Sequence, residues 1–281
     1  MARKVAIVTD STADLPPELA EELGVTIVPL QVIFGNEAYR EGVDITTEEF
    51  YERLVKSRPL PTTSAPSVGD FQEVYERLLT EVDSIVSIHI GTKLSGTVQA
   101  AQTARQSLAK PERIELVDSQ VASMAMGFAI IEAAEAIRAG AKLAEVKAAA
   151  ESAVQRIHVL FMLDTLEYLR RGGRIGRARA YLGALLSVKP ILTLREGEVY
   201  PEERVRTRAR GLERIIQSGI RHENVKLAAV GHSTTPDEAE SIRERLAMAF
   251  PNVKVHLIRF GPVIGTHGGP GLVGVGVMEG E

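Results

Sequence analysis

Hydroxyls, one histidine and a run of arginines gather in five short segments of this chain. Those residue types converge naturally on a small anion such as a carboxylate or phosphate. The first segment is Asp10, Ser11, Thr12, Ala13, Asp14, Leu15, Pro16, and the second is the proline-bracketed Pro61, Thr62, Thr63, Ser64, Ala65, Pro66, Ser67. In the third, Gly91, Thr92, Lys93, Leu94, Ser95, Gly96, Thr97, glycine permits close approach while Ser95 and Thr97 offer hydroxyls at a helix start. The fourth runs from Asp164 to Arg177, with Arg170, Arg171, Arg174 and Arg177 able to form bidentate contacts. The fifth, Gly261 to Gly271, sets His267 in a glycine-rich loop beside a hydrophobic run.

Each segment also has a plainer reading. Asp, Ser and Thr cap helices, an arginine cluster makes a solvated face, and a histidine packs at a domain junction. Two familiar motifs are absent: the third segment lacks the Gly-x-x-x-x-Gly-Lys order of a Walker loop, and Lys93 stands where a nucleophile elbow needs glycine. His89 lies within a strand, and His158, His222, His232 and His256 show no ligand spacing such as His-Glu-x-x-His, so no metal site is expected. Asp10, Asp14, Asp118 and Asp164 sit on separate loops and pair only if the fold joins them, and Asp118 with Ser119 reads as a helix cap.

Strands and helices must position these segments. Val5 to Val8, Ile85 to Ile90 and Ile114 to Val117 read as strands, each followed by a helical stretch: Pro17 to Leu23, Gly96 to Leu108 and Val121 to Arg138. Thr46 with Glu49 has capping-box spacing and Ser67 with Asp70 a related one, predicting helices over about 47–57 and 67–81. A helix from Leu143 to Gln155 leads into the apolar Ile157 to Leu163, and Gly172 with Gly173 stops a short helix. Beyond these, Lys189 to Arg195 and Val199 to Glu203 read as a hairpin about Gly197. A helix over about 207–219 follows, and then strands Lys226 to Val230 and Lys254 to Phe260 flank a helix from Pro236 to Phe250.

This order predicts an α/β protein of two domains: a Rossmann-like parallel or mixed sheet over residues 1–155, and a smaller mixed α/β unit over 156–281. Ligands collect at the carboxyl ends of such strands. With 281 residues, 44% hydrophobic content and a formal charge of −4, the chain has ample core and no basic excess for nucleic acid. The absence of cysteine removes disulfides, thiolate catalysis and cysteine-held metals. No signal-peptide pattern opens the chain and no apolar run approaches the roughly 20 residues that span a bilayer, so a soluble cytoplasmic protein is expected.

Taken in order, Asp10 to Pro16, Thr62 to Pro66, Ser87 to Thr97, Val117 to Ser119, Leu163 to Gly176, Lys189 to Leu192 and Gly261 to Gly271 resemble the DegV family across essentially the whole chain. Characterised members are bacterial fatty-acid-binding proteins of the FakB type. The resemblance implies a two-domain α/β DegV fold holding one long-chain fatty acid, such as palmitate, stearate or oleate, in an interdomain tunnel with its carboxylate near the surface. It implies head-group binding by Thr63 and Ser95, with Ser64, Gly96 and Thr97 of the same motifs, completed by His267. Arg171 and Arg174 correspond to arginines placed near the head group or used in docking to a partner. That partner is a separate fatty-acid kinase, which makes an acyl-phosphate for phospholipid synthesis, so the carrier itself has no catalytic residue and no cofactor. Ala65 departs from relatives that carry a longer polar residue there.

The residues suit that expectation. A carboxylate needs a few converging donors and its chain needs an apolar wall, for which Ile157 to Leu163, Ala184 to Val188, Ile191 to Leu194 and Phe260 to Ile264 are candidates, as they are for plain core. Membrane contact would be transient at most. Two other readings stand beside the carrier: a hydrolase or acyltransferase with Ser95 as nucleophile and His267 as base, and a non-catalytic protein-interaction module.

Overall fold

The computed structural model describes residues 5–182 and 188–281. Its first half runs β1 (Val5–Asp10), α1 (Pro17–Leu23), β2 (Val25–Val28), β3 (Gln31–Phe34), β4 (Glu37–Arg40), α2 (Thr47–Lys56), β5 (Thr62–Ser64), α3 (Val68–Leu79), β6 (Ser84–His89), α4 (Thr97–Ser107), β7 (Ile114–Asp118), α5 (Met124–Arg138) and α6 (Leu143–Gln155). The second half continues with β8 (Ile157–Met162), α7 (Glu167–Arg171), β9 (Lys189–Arg195), β10 (Glu198–Val205), α8 (Arg208–Ile220), β11 (Val225–His232), α9 (Pro236–Ala249), β12 (Val255–Arg259), α10 (Pro262–Gly268) and β13 (Val273–Glu279).

A parallel sheet forms in the order β2-β1-β6-β7, its two central strands buried almost throughout, as parallel strands covered on both faces must be. A mixed six-stranded sheet of order β10-β9-β8-β13-β11-β12 is built wholly from residues after 156, and a small antiparallel sheet, β4-β3-β5, carries the Thr63 segment. Helix α5 lies between the two large sheets, touching β1 and β6 on one side and β8, β11 and β13 on the other. Its sequence explains the position: ten of its fifteen residues are buried, and a helix apolar all round belongs inside.

Both capping boxes form, with Glu49 accepting the Thr46 amide and Asp70 that of Ser67. Other elements depart from the sequence pattern for identifiable reasons. Helix α5 begins at Met124 rather than Val121 because Gln120 and Ser123 take positive φ, the Gly91 amide binds the Val121 carbonyl at 3.0 Å, and the Ser123 amide binds that of Thr12 at 2.7 Å. Asp118 does not cap that helix; it accepts from the amides of Thr92 and Gln120 and the Thr92 hydroxyl. The strands β2 to β5 and β13 lie outside the runs read from sequence. In β13 the alternation Val273, Gly274, Val275, Gly276, Val277 masks strand propensity, since glycine weakens it, yet the strand is central and buried.

The glycine-rich His267 segment is a short helix, α10, rather than a loop. Its glycines serve packing: a Cβ on Gly265 would lie 2.6 Å from the Tyr51 hydroxyl, and one on Gly268 2.5 Å from the Leu272 side chain. Small residues therefore let α10 press against α2 and carry His267 inward.

Candidate functional site

Between α5, the mixed sheet and α10 lies a cavity of about 200 Å³. Most of its wall is apolar, from Ile90 and Leu94 in the first half to Phe161, Leu163, Phe260 and Ile264 in the second. Three glycines of the mixed sheet, Gly231, Gly274 and Gly276, contribute bare backbone to it. The space beside each differs: a Cβ on Gly231 would collide with Phe260 at 2.4 Å and one on Gly274 with Phe161 at 2.8 Å, whereas one on Gly276 would stand 3.5 Å from Phe128 in ordinary contact.

Against this wall stands a small set of polar groups. Thr63, on the edge strand β5, places its Oγ1 2.9 Å from His267 Nε2. Arg174, just past α7, donates from Nε to the Leu94 carbonyl at 3.0 Å and from Nη1 to the Gly172 carbonyl at 2.7 Å, which fixes its guanidinium plane next to Ser95 and near His267. Ser95 Oγ lies 2.8 Å from Thr97 Oγ1 at the start of α4, where free amides and the helix dipole favour an anion. Thr63, Ser95, Gly96, Arg174 and His267 all line the cavity.

The histidine's protonation follows from its surroundings. Burial, then the positive charge of Arg174, hold its pKa down at about 4, so the ring is neutral at pH 7. Its Nδ1 is buried without a hydrogen-bond partner and packs so tightly on Gly172 that a Cβ there would sit 2.2 Å away. An orphaned acceptor lone pair costs less than an orphaned N–H, which assigns the proton to Nε2. His267 then donates to Thr63 Oγ1 and leaves the threonine hydroxyl proton free for an acceptor in the cavity. A carboxylate there would meet hydroxyls from Thr63 and Ser95 and one fixed arginine charge.

Three residues expected at the head group sit elsewhere. Thr97 is buried behind Ser95, the Ser64 hydroxyl turns to the Ala65 carbonyl at 3.1 Å, and Arg171, half exposed, pairs with Glu167 on its own helix. Ala65 itself lines the cavity, so the shorter side chain at that position widens it. Of the proposed walls, Val159 to Phe161, Leu163, Leu194, Phe260, Val263 and Ile264 are present; Ile191 and Leu192 are buried in core without lining the cavity, and 184–187 lie outside the described residues.

Sequence reading missed what holds the amino end of α10. Asp14 Oδ1 accepts the Gly261 amide at 2.9 Å and Glu41 Oε1 that of Val263 at 2.8 Å, while Ser123 and Ser11 donate to the outer oxygens of Asp14 and Glu41 respectively. Burial drives both carboxylates upward, Glu41 to about 7, and their mutual repulsion raises Asp14 further. No local pattern announces this pairing, because the acids and the helix they cap are more than 200 residues apart in the chain.

A second constellation was equally hidden. Asp10 Oδ2 lies 2.9 Å from His89 Nδ1, His89 Nε2 2.6 Å from Ser87 Oγ, and Ser87 Oγ 2.8 Å from the Tyr75 hydroxyl. These are the residue types and order of a nucleophilic triad. All four side chains are fully buried and none lines the cavity, so the chain of bonds ties β1, β6 and α3 together rather than meeting a substrate. At the cavity itself, Ser95 engages Thr97 and His267 engages Thr63, so the Ser–His contact of an acyl-transfer site is not made.

A two-domain α/β chain with an apolar cavity and a compact polar cluster is a small-molecule-binding architecture. Residues 4–280 match the family described as "Uncharacterised protein, DegV family". A DegV domain-containing protein of Streptomyces coelicolor is 42% identical over 99% of this chain and 100% of its own. Among solved structures, a DegV family protein from Thermus thermophilus, described for its fatty acid binding, has a TM-score of 0.91 at 38% identity, covering 99% of both chains. DegV of Bacillus subtilis, a fatty acid binding protein, has a TM-score of 0.88 at 35% identity over 99% of this chain and 100% of that one. The chain belongs to the DegV family.

Proposed function

We propose that this protein binds one long-chain fatty acid, with the acyl chain in the cavity and the carboxylate at Thr63, Ser95, Gly96, Arg174 and His267. The observation that carries the reading is the division of the cavity lining: an extended apolar wall meets a small group of donors that face the same cavity. The fatty acid binding described for the Thermus thermophilus and Bacillus subtilis relatives supports it. Burying each methylene contributes about 0.8 kcal/mol, so the wall supplies affinity and the polar cluster supplies orientation.

The role follows as a carrier. The carboxylate is presented for phosphorylation by a separate fatty-acid kinase in the cytoplasm, the acyl-phosphate product serving phospholipid synthesis, and the carrier contributes no nucleophile. Arg171, outside the cavity and held by Glu167, is available to a partner rather than to the ligand. The chain divides near residue 155, the first domain supplying hydroxyls and the second supplying wall, arginine and histidine. Dissociation of a labelled long-chain acid tests the head-group assignment. Thr63→Ala and Ser95→Ala each speed its release; unchanged retention in both variants would overturn the assignment.

A further inference from the structure

On the mixed sheet, away from the polar cluster just described, two histidines and a carboxylate from distant parts of the chain meet. His158 is the second residue of β8, Glu279 closes the antiparallel neighbour β13, and His222 follows α8. The imidazole rings are stacked, with centroids 4.3 Å apart and planes inclined by 23°. Both present a nitrogen to the same carboxylate: His222 Nδ1 lies 2.8 Å from Glu279 Oε1, and His158 Nε2 3.5 Å from Oε2.

We propose that His158, His222 and Glu279 form a binding site for a divalent transition metal of the zinc class. One donor atom from each residue falls within 4.8 Å of the other two. Zinc bonds of about 2.0–2.2 Å in a tetrahedral site put ligand atoms roughly 3.4 Å apart, so small side-chain rotations close the set. Two imidazoles with one carboxylate suit zinc, nickel or copper and disfavour magnesium, which prefers oxygen ligands and keeps its waters. The metal would replace the two histidine–glutamate contacts, leaving a fourth position for water.

His158 and His222 line a polar cleft together with Thr193, Ser218 and Arg221. The cleft shares Val159, Leu160, Leu194 and Val275 with the wall of the apolar cavity, so a metal here would brace strands that also shape that wall. The spacing 158, 222, 279 follows no sequence motif, because each ligand comes from a different element.

The test is calorimetric titration of the chelator-treated protein with zinc chloride, alongside thermal melts with zinc and with magnesium. One zinc ion per chain, a raised Tm with zinc but not with magnesium, and at least tenfold weaker binding in both His158→Ala and Glu279→Gln are expected. Because His158 is exposed, its replacement leaves the metal-free Tm unchanged and the comparison interpretable. Absence of saturable zinc binding by the unmodified protein overturns the site, as does binding of equal strength in the two variants. The site does not depend on the fatty-acid reading, and retention of labelled acid by the variants reports on that reading separately.

Discussion

The wall of the cavity and its polar end are built on different principles. The wall draws on strands of one sheet, on α10 and on the start of α5, and its room comes from residues that lack side chains, such as Gly276. The polar end is assembled from single residues on β5, on the loop before α4, after α7 and on α10, each fixed by a hydrogen bond to a neighbour. A wall of many small contributions tolerates change and would set the length of a bound chain, while a cluster of few donors would set its orientation and depends on its supports.

The sharpest way to break the polar end is therefore through a support. Between pH 4.5 and 7, unfolded Glu41 has lost its proton while the folded residue, with its pKa near 7, retains it. Stability from this group thus falls as pH rises through that window, by about 3 kcal/mol. His267 has the opposite sign: its pKa near 4 means the unfolded state binds the extra proton between pH 4 and 6.5, so stability rises with pH there. Glu41→Gln removes this group's part of the fall and leaves that of Asp14 and the rise from His267. Chemical denaturation at pH 4.5 and pH 8 should show the variant gaining about 3 kcal/mol on the unmodified protein between the two. An identical pH profile would contradict the raised pKa of the buried Glu41.

The wall is tested next by filling it. A side chain at Gly276 meets Phe128, Ala125 and Val159 at ordinary contact distances and then projects into the cavity. Gly276→Val should displace two or three methylenes of a bound chain, costing about 2 kcal/mol for the longest acids and sparing shorter ones. Competition between acids of different length reads this directly, and a uniform loss across lengths would place Gly276 away from the chain. Thr63→Ala, which removes one hydroxyl and strands His267 Nε2, should weaken retention of every acid by about 1 kcal/mol irrespective of length. The smallest effect belongs to Arg171→Ala: its guanidinium is bound to Glu167 outside the cavity, so lipid retention should change by less than about 0.5 kcal/mol. A larger loss would bring Arg171 back to the head group.

The same contrast separates what the sequence disclosed from what it hid. Local signals carried far: the capping boxes at Thr46 and Ser67 mark true helix starts, and the strand–helix alternation marks the parallel sheet. Thr63, Ser95, Arg174 and His267 were nameable because each sits in a distinctive short motif, and all four reach the cavity. Strand β13 stayed hidden because its glycines suppress the usual propensity, and those glycines make room in the cavity. The Asp14–Glu41 cap of α10, the buried Asp10–His89–Ser87 chain and the His158–His222–Glu279 cluster stayed hidden because each joins residues far apart in sequence. Pairings of that kind follow from sheet order and domain packing, which no local periodicity encodes.

Fatty-acid binding in the cavity is read most directly from the mass of the purified protein under native and then denaturing conditions, with the released material identified after extraction into organic solvent. A native excess equal to one long-chain fatty acid per chain, lost on denaturation, is expected. A native mass equal to that of the bare polypeptide, with no uptake of added fatty acid, would contradict it.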